Sequence, residues 1–306
     1  MMNRMNTWAV LCAVVLSMVL YACGNNDKPK KSITDTLTSG TISVAFDENY
    51  KPVMEQQLKI FDSSFPDAQL QVKYLPQEDC FDLLLRDSVR IIVAARDLNA
   101  AEKDYMKRNK INIRSVALAR DAVALIVNPA SPDADLNREM LANILLNNYS
   151  RQYDIVFDNK RSGIVKYMQE QLIPGKEFGS NIYALQTTDS VIKYVAEHKN
   201  AIGFVAVGHL YDSGDRTGNG RFRENVRVVA LKSDSLNELY EPYQANLFDG
   251  YYPLTRTLYF HLRESHRGLG TGLANFLGQE RGQAVFRLEH MLPLRVPLVI
   301  RDVILK

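Results

Sequence analysis

From residue 41 onward the sequence alternates between short strand-like runs and helix-like segments. Residues 41–46, 68–75 and 89–95 are either continuously apolar or alternate between apolar and polar side chains, as strands do. The segments between them, 52–65 and 80–86, carry apolar residues at helical spacing. Because a helix that follows a strand usually returns the chain to the same sheet in parallel, this order predicts a mainly parallel sheet flanked by helices. The pattern is compatible with one such sheet or with two.

The alternation continues to the C-terminal part of the chain. Further strands are predicted at 115–119, 122–127, 154–157, 201–207, 226–231 and 258–262. Further helices are predicted at 100–108, 137–146, 162–172, 190–198, 269–277 and 279–288. Arg120 and Asp121 separate two of the apolar runs, so we expect two strands there. Residues 212–221 are rich in glycine and charge, which indicates a loop.

Composition and motifs narrow the class of protein. The chain holds 37 Lys and Arg against 35 Asp and Glu, and a formal charge of +2 gives no basic field that would attract nucleic acid. The sequence has no Gly-x-Ser-x-Gly elbow and no phosphate-cradling Gly-x4-Gly-Lys loop, and its five histidines lack zinc-site spacing. We therefore expect a protein that is not an enzyme and has no cofactor, no metal site and no nucleic-acid partner.

The N-terminal region has the pattern of a bacterial secretion signal. Arg4 precedes an apolar run at 9–20, which is shorter than the roughly 20 residues that cross a bilayer. The run ends in Leu20-Tyr21-Ala22-Cys23, which resembles a lipobox, the motif whose Cys becomes the lipidated first residue. We expect a signal peptide at 1–22, and the polar stretch 23–39 is expected to be a tether. The protein would then be periplasmic or at the cell surface, anchored to a membrane by a lipid on Cys23. The alternative is a cleaved soluble signal in which Cys23 has no role.

The cysteines fit this interpretation. Cys12 would leave with the signal peptide and Cys23 would carry the lipid, so Cys80 has no partner for an intramolecular disulfide. Apolar residues follow Cys80, which predicts a buried and inert thiol.

Four segments, taken in order, resemble the phosphate-binding branch of the periplasmic binding proteins of ABC transporters. They are IIVAARDL at 91–98, VALARDAVALIVN at 116–128, NAIGFV at 200–205 and FDGYYPLTRTLYFHL at 248–262. The family has matching segments in this order, so the resemblance covers about residues 41–306. It implies an α/β, two-lobed periplasmic-binding-protein fold. Each lobe would be a mainly parallel sheet flanked by helices, and two chain segments would form the hinge.

The resemblance also implies lobe boundaries and an activity. One lobe would consist of residues 40–120 plus 254–306, and the other of residues 121–253. The ligand would lie in the cleft between them, outside the carboxyl ends of the strands, and its binding would close the hinge. The implied ligand is a small oxyanion, phosphate first, and the implied partner is an ABC permease.

The first of three candidate ligand loops follows the strand at 41–46. It contains Asp47, Glu48 and Asn49, where the family typically has a turn rich in Gly, Ser and Thr. Backbone N–H groups remain available there, but two carboxylates would repel an anion. The alternative is that Asp47 caps the following helix and Glu48 faces water.

The second candidate loop contains Ala95 and Arg96. The family often has serine hydroxyls beside this Arg, and the present sequence lacks them. Arg96 could bind an anion through two hydrogen bonds. It could equally form a structural ion pair with Asp97 or another carboxylate.

The third candidate loop precedes the helix at 162–172. Its candidate ligand residues are Asp158, Arg161, Ser162 and Gly163. The family pattern is an Arg, three residues, then Ser-Gly-Thr; Ser162 and Gly163 match it, but Asp158 stands where the Arg belongs. Lys160 and Arg161 could replace the missing cation. Alternatively, Ser162 is only a helix N-cap.

These departures predict a divergent member of the family. The alternative to oxyanion transport is a degenerate binding-protein fold that serves as an interaction or sensing lipoprotein. A hydrolase that uses Asp47 and Asp158 is a further alternative. His209, at the end of the strand at 201–207, could line the cleft, although a hydrogen-bonded structural role is favoured.

Overall fold

The computed structural model describes residues 34–132, 136–212 and 220–295. The predictions of a signal peptide, of a lipid on Cys23 and of most of the tether fall outside these residues, as does most of the predicted loop at 212–221.

Twelve strands and nine helices are present in the described residues. The strands are β1 (Gly40–Asp47), β2 (Ala68–Leu75), β3 (Ile91–Ala94), β4 (Arg114–Val127), β5 (Asp154–Phe157), β6 (Ile182–Ala184), β7 (Ala201–Ala206), β8 (Arg227–Val228), β9 (Leu231–Lys232), β10 (Leu239–Tyr240), β11 (Thr255–Leu262) and β12 (Leu292–Pro293). The helices are α1 (Lys51–Ser64), α2 (Gln77–Leu85), α3 (Ala100–Arg108), α4 (Arg138–Leu145), α5 (Gly163–Leu172), α6 (Thr188–Glu197), α7 (Gln244–Phe248), α8 (Leu269–Gly278) and α9 (Glu280–Leu288).

The main sheet has two halves that share β4. In the first half the strand order is β2-β1-β3-β11-β4, and β1 pairs in parallel with β2 and β3. In the second half the order is β4-β7-β5-β6, and β5 pairs in parallel with β6 and β7. The antiparallel pairs of this sheet involve β4 or β11. The arrangement confirms an α/β fold built from parallel strands with helical connections.

Strand β4 is one continuous strand, whereas the sequence predicted two. Its register with β11 runs as far as Ala122, which pairs with Thr255, and its register with β7 begins at Val123. The expectation of a break was wrong because Asp121 lies directly opposite Arg256 of β11, so its charge is paired within the sheet.

Each half of the sheet has an apolar core of its own. In the first half, Val44 and Val93 pack on one face of the sheet, whereas Ala45 and Ile92 pack on the other. This division follows from the alternation of side chains along a strand. A separate cluster fills the second half.

Cys80 lies buried in α2 with a free thiol, and burial raises the pKa of this thiol well above its ordinary value. Among the described residues, no helix combines the length and the apolar character that crossing a bilayer requires.

Candidate functional site

The three candidate loops meet between the two halves of the sheet. The Asn49 side-chain nitrogen donates to Ser162 Oγ at 3.3 Å, which joins the first loop to the third. The second loop reaches the third through Gln77, whose Oε1 accepts the Ala95 N–H at 3.0 Å and lies against Gly163. The region between the starts of α1 and α5, here called the cleft, is therefore bridged by protein side chains.

The first loop is ordered by Asp47, the last residue of β1. Its Oδ1 accepts from the Asn49 backbone N–H at 3.1 Å and from the Asn49 side chain at 3.0 Å. Asp47 thus caps the short 3-10 turn Glu48–Tyr50 that precedes α1. Glu48 Oε1 is buried rather than turned to water, and it has no hydrogen-bond partner among the described residues.

The cleft holds a cluster of buried acids. Burial raises the pKa of Asp47 to about 6, and the nearby charge of Arg256 opposes this rise. Burial raises the pKa of Glu48 to about 7, and the negative charges of Asp158 and Asp47 add to the effect. Burial also raises the pKa of Asp158. The carboxyl groups of Asp47 and Glu48 therefore exchange protons close to neutral pH.

Four oxygen atoms of this region are buried without a hydrogen-bond partner in the part of the chain that the structure describes. They are Asp47 Oδ2, Glu48 Oε1, Asn49 Oδ1 and Asp158 Oδ2. Because buried polar atoms are normally paired, unpaired acceptors concentrated at one place mark it as a site for hydrogen-bond donors.

A buried ion pair lies beside these acids, at the point where β4 passes from one half of the sheet to the other. Arg256 contacts Asp121 at 2.7 Å, and the two side chains are 1% and 2% exposed. The Tyr50 hydroxyl also donates to Asp121, at 3.0 Å. Arg256 Nε and Nη1 have no hydrogen-bond partner among the described residues. The site thus contains a buried cation with hydrogen-bond donors still available.

Sequence reasoning did not identify Arg256 as a site residue. A signal was present, because Arg256 shares the buried face of β11 with Leu258 and Phe260. A charged residue in such a position requires a partner, and Asp121, which interrupts an apolar run, is the matching charge.

Arg96 forms ion pairs with Glu78 at 3.1 Å and Glu102 at 2.8 Å. Its guanidinium also lies 3.5 Å from the centre of the Phe81 ring. Towards Asp97, the alternative partner considered from the sequence, Arg96 donates only to the backbone oxygen. Arg96 therefore connects α2 to α3 in this structure.

Arg161 forms ion pairs with two acids of α2, Asp79 at 2.6 Å and Asp82 at 2.7 Å. Lys166 of α5 adds a contact to Glu78 at 3.2 Å. These ion pairs hold the start of α5 against α2 at the edge of the cleft. A groove of ≈ 650 Å³ opens beside them, lined in part by Lys160, Arg161 and Lys166.

Ser162 caps α5, since its Oγ accepts the Ile164 N–H at 3.1 Å. His209 Nε2 lies 3.0 Å from the Asn49 carbonyl oxygen, a structural hydrogen bond across the cleft. Between Asn49, Tyr50 and Asp121 the interior space is ≈ 10 Å³. That is room for about one water molecule, so protein atoms fill this side of the cleft.

A family model described as a PBP superfamily domain matches residues 32–280. The phosphate-binding protein PstS of Staphylococcus haemolyticus is 20% identical over 284 residues, which cover 85% of this chain and 83% of that protein.

Two solved structures share the fold. A substrate-binding protein from Clostridium perfringens with bound phosphate has a TM-score of 0.70 at 20% identity, with 83% of this chain and 100% of that chain covered. An ABC-type phosphate transport receptor from Vibrio cholerae has a TM-score of 0.64 at 17% identity, again with 83% and 100% covered. The two-lobed fold class predicted from the sequence is confirmed.

Proposed function

This chain belongs to the PBP superfamily, and on that premise we propose that it is an extracytoplasmic solute-binding protein that captures a small oxyanion for an ABC transporter. Phosphate is the first candidate because similar proteins are phosphate-binding proteins. The observation that carries the proposal is Arg256, a buried cation whose Nε and Nη1 have no hydrogen-bond partner among the described residues. In this role the protein binds and releases its solute and performs no catalysis.

The proposed site combines donors from both lobes, which we assign to residues 40–120 plus 254–306 and to residues 121–253. The N-terminus of α5 at Gly163 presents the positive end of the helix dipole to an anion, whereas the Ser162 N–H donates to the Asn159 carbonyl oxygen. Arg256 supplies a charge from the hinge, and each charge-assisted hydrogen bond contributes about 1.5–3 kcal/mol. Arg96 and Arg161 shape the rim through their ion pairs.

The buried acids determine how an anion can enter this site. When Asp47, Glu48 and Asp158 are ionised, they repel an anion. When they are protonated, each becomes a hydrogen-bond donor. Solute capture is therefore coupled to proton uptake by the cleft.

We expect phosphate to bind more tightly at about pH 5.5 than at about pH 8, by roughly tenfold, since one pKa unit corresponds to about 1.36 kcal/mol. The pKa values of about 6 for Asp47 and about 7 for Glu48 lie within this range, so lowering the pH removes negative charge from the cleft. Isothermal titration calorimetry at several pH values measures the effect. In Glu48→Gln the pH dependence should be smaller. An affinity that stays constant or increases with pH would contradict the proposal.

We also propose that residues 1–22 are a signal peptide and that Cys23 carries a lipid, on the basis of the lipobox-like sequence. The natural protein should enter the detergent phase in a Triton X-114 partition, because each buried methylene of a lipid chain contributes about 0.8 kcal/mol. Cys23→Ser should remain in the aqueous phase. Identical partitioning of both proteins would show that Cys23 does not anchor the chain.

A second candidate is an interaction or sensing lipoprotein that keeps this fold without transporting phosphate. The contacts Asn49–Ser162 and Arg161–Asp79 favour it, since they join the two halves directly. Calorimetry with phosphate and sulfate distinguishes the candidates. The absence of heat from a protein that unfolds cooperatively would support the second.

A further inference from the structure

Gln77 occupies an unusual place for a polar side chain. It is the first residue of α2, directly after Pro76, and it is 2% exposed. Surface glutamines at helix starts normally extend into water. Here the amide turns inward, towards the cleft.

The contacts of this amide involve two of the candidate ligand loops. Oε1 accepts the Ala95 backbone N–H at 3.0 Å, and Nε2 donates to Glu78 at 3.4 Å. On its other side the amide lies against Gly163, where a β-carbon would be 2.6 Å from Oε1 and 2.8 Å from Cδ. Ala95 and Gly163 belong to two of the candidate ligand loops, one from each half of the sheet.

Gly163 allows this arrangement because it lacks a side chain. The atoms nearest to a β-carbon at this position all belong to the Gln77 amide. The oxygen of Gln77 is therefore inserted between a loop N–H group and the N-terminus of α5, a position that favours an oxygen with negative charge.

We propose that the side-chain amide of Gln77 is a built-in occupant of the solute site, which an incoming solute must displace. This inference rests on the proposed function. Gln77 then sets both the affinity and the size of the solute, because Ala95 and Gly163 become available only when the amide leaves. The groove lined by Glu78 and Ser162 gives the displaced side chain a place to go.

The test is phosphate titration calorimetry on the natural protein, Gln77→Ala and Gln77→Glu. Gln77→Ala removes the competing amide and should bind phosphate roughly tenfold more tightly, since phosphate no longer has to break the hydrogen bond between Gln77 and Ala95. Gln77→Glu keeps an acceptor for the Ala95 N–H but adds a negative charge, so it should bind phosphate more weakly. Amide hydrogen exchange at Ala95 should accelerate in Gln77→Ala and not in Gln77→Glu.

Gln57→Ala is the matched control. Gln57 is a fully buried glutamine of α1 whose Nε2 donates to the Gly282 carbonyl oxygen at 2.8 Å, away from the cleft. Its replacement should leave phosphate affinity unchanged, which separates the expected effect from a general loss of stability.

Each outcome is decisive. Weaker phosphate binding by both Gln77 variants would make Gln77 a solute contact and overturn the inference, while the proposed function would stand. If Gln77→Ala binds phosphate and the natural protein does not, the inference is supported and phosphate capture by the natural protein is refuted. If neither the natural protein nor Gln77→Ala binds phosphate, both proposals fail.

Discussion

Replacing Arg256 with Met is expected to lower the free energy of unfolding by about 3–5 kcal/mol, the usual cost of removing one partner from a buried ion pair. The substitution keeps an unbranched side chain of similar length but leaves Asp121 without its cation at a position where both side chains are almost fully buried. Asp47 and Asp158 also lose a nearby positive charge. Urea unfolding at neutral pH, followed by circular dichroism, measures the change.

A matched control is the exposed pair Lys51–Glu55, whose nitrogen and oxygen are 3.8 Å apart on the surface of α1. Lys51→Met should cost less than about 1 kcal/mol, because solvent screens such pairs. The double variant Arg256→Met/Asp121→Leu should recover part of the loss, since Asp121 then no longer remains as a buried carboxylate without its cation. A cost for Arg256→Met as small as that for Lys51→Met would show that the pair does not hold the hinge together.

Asp47→Asn is expected to stabilise the protein by about 2–3 kcal/mol at about pH 8 and to have little effect at about pH 3.5. The carboxyl group of Asp47 has an ordinary pKa of 3.8, and burial raises it to about 6 in the folded protein. Between these values the unfolded chain has released the proton and the folded chain retains it. The free energy of unfolding therefore falls as the pH rises through this interval, and the full cost is present above it. Asparagine carries no such cost, and its side-chain oxygen can still accept from Asn49.

Urea unfolding of the natural protein and of Asp47→Asn at both pH values measures this difference. Glu48→Gln should act in the same direction through a higher pH window, but less strongly because Glu48 is only half-buried and partly screened. Glu55→Gln, on the exposed surface of α1, controls for the removal of a carboxylate. Equal stability of Asp47→Asn and the natural protein at about pH 8 would show that the Asp47 carboxylate is adequately solvated.

The fold class could be predicted from the sequence because alternating strands and helices are compatible with few architectures. In addition, four segments in the expected order resemble one family. The same resemblance identified loops that lie far apart in the chain and meet in the structure. Asn49 and Ser162 are hydrogen-bonded although 113 residues separate them. No periodicity within either loop indicates this contact.

The polar contacts inside the site could not be predicted from the sequence in the same way. Arg256 and Asp121 are 135 residues apart, and their pairing depends on the register between β4 and β11, which the sequence does not state. Glu78 and Glu102 are the carboxylates that Arg96 meets, because α2 and α3 both pack beside the end of β3. Gln77 has no local signal for burial, since its position depends on Gly163 in the opposite half.

The continuity of β4 has a mechanical consequence. A hinge made of loops could swing through large angles with little resistance. Here the two halves share strand β4, whose neighbouring strand changes from β11 to β7 between Ala122 and Val123. A continuous strand does not fold back on itself as a loop can. We therefore expect opening to be a twist of limited amplitude rather than a wide swing.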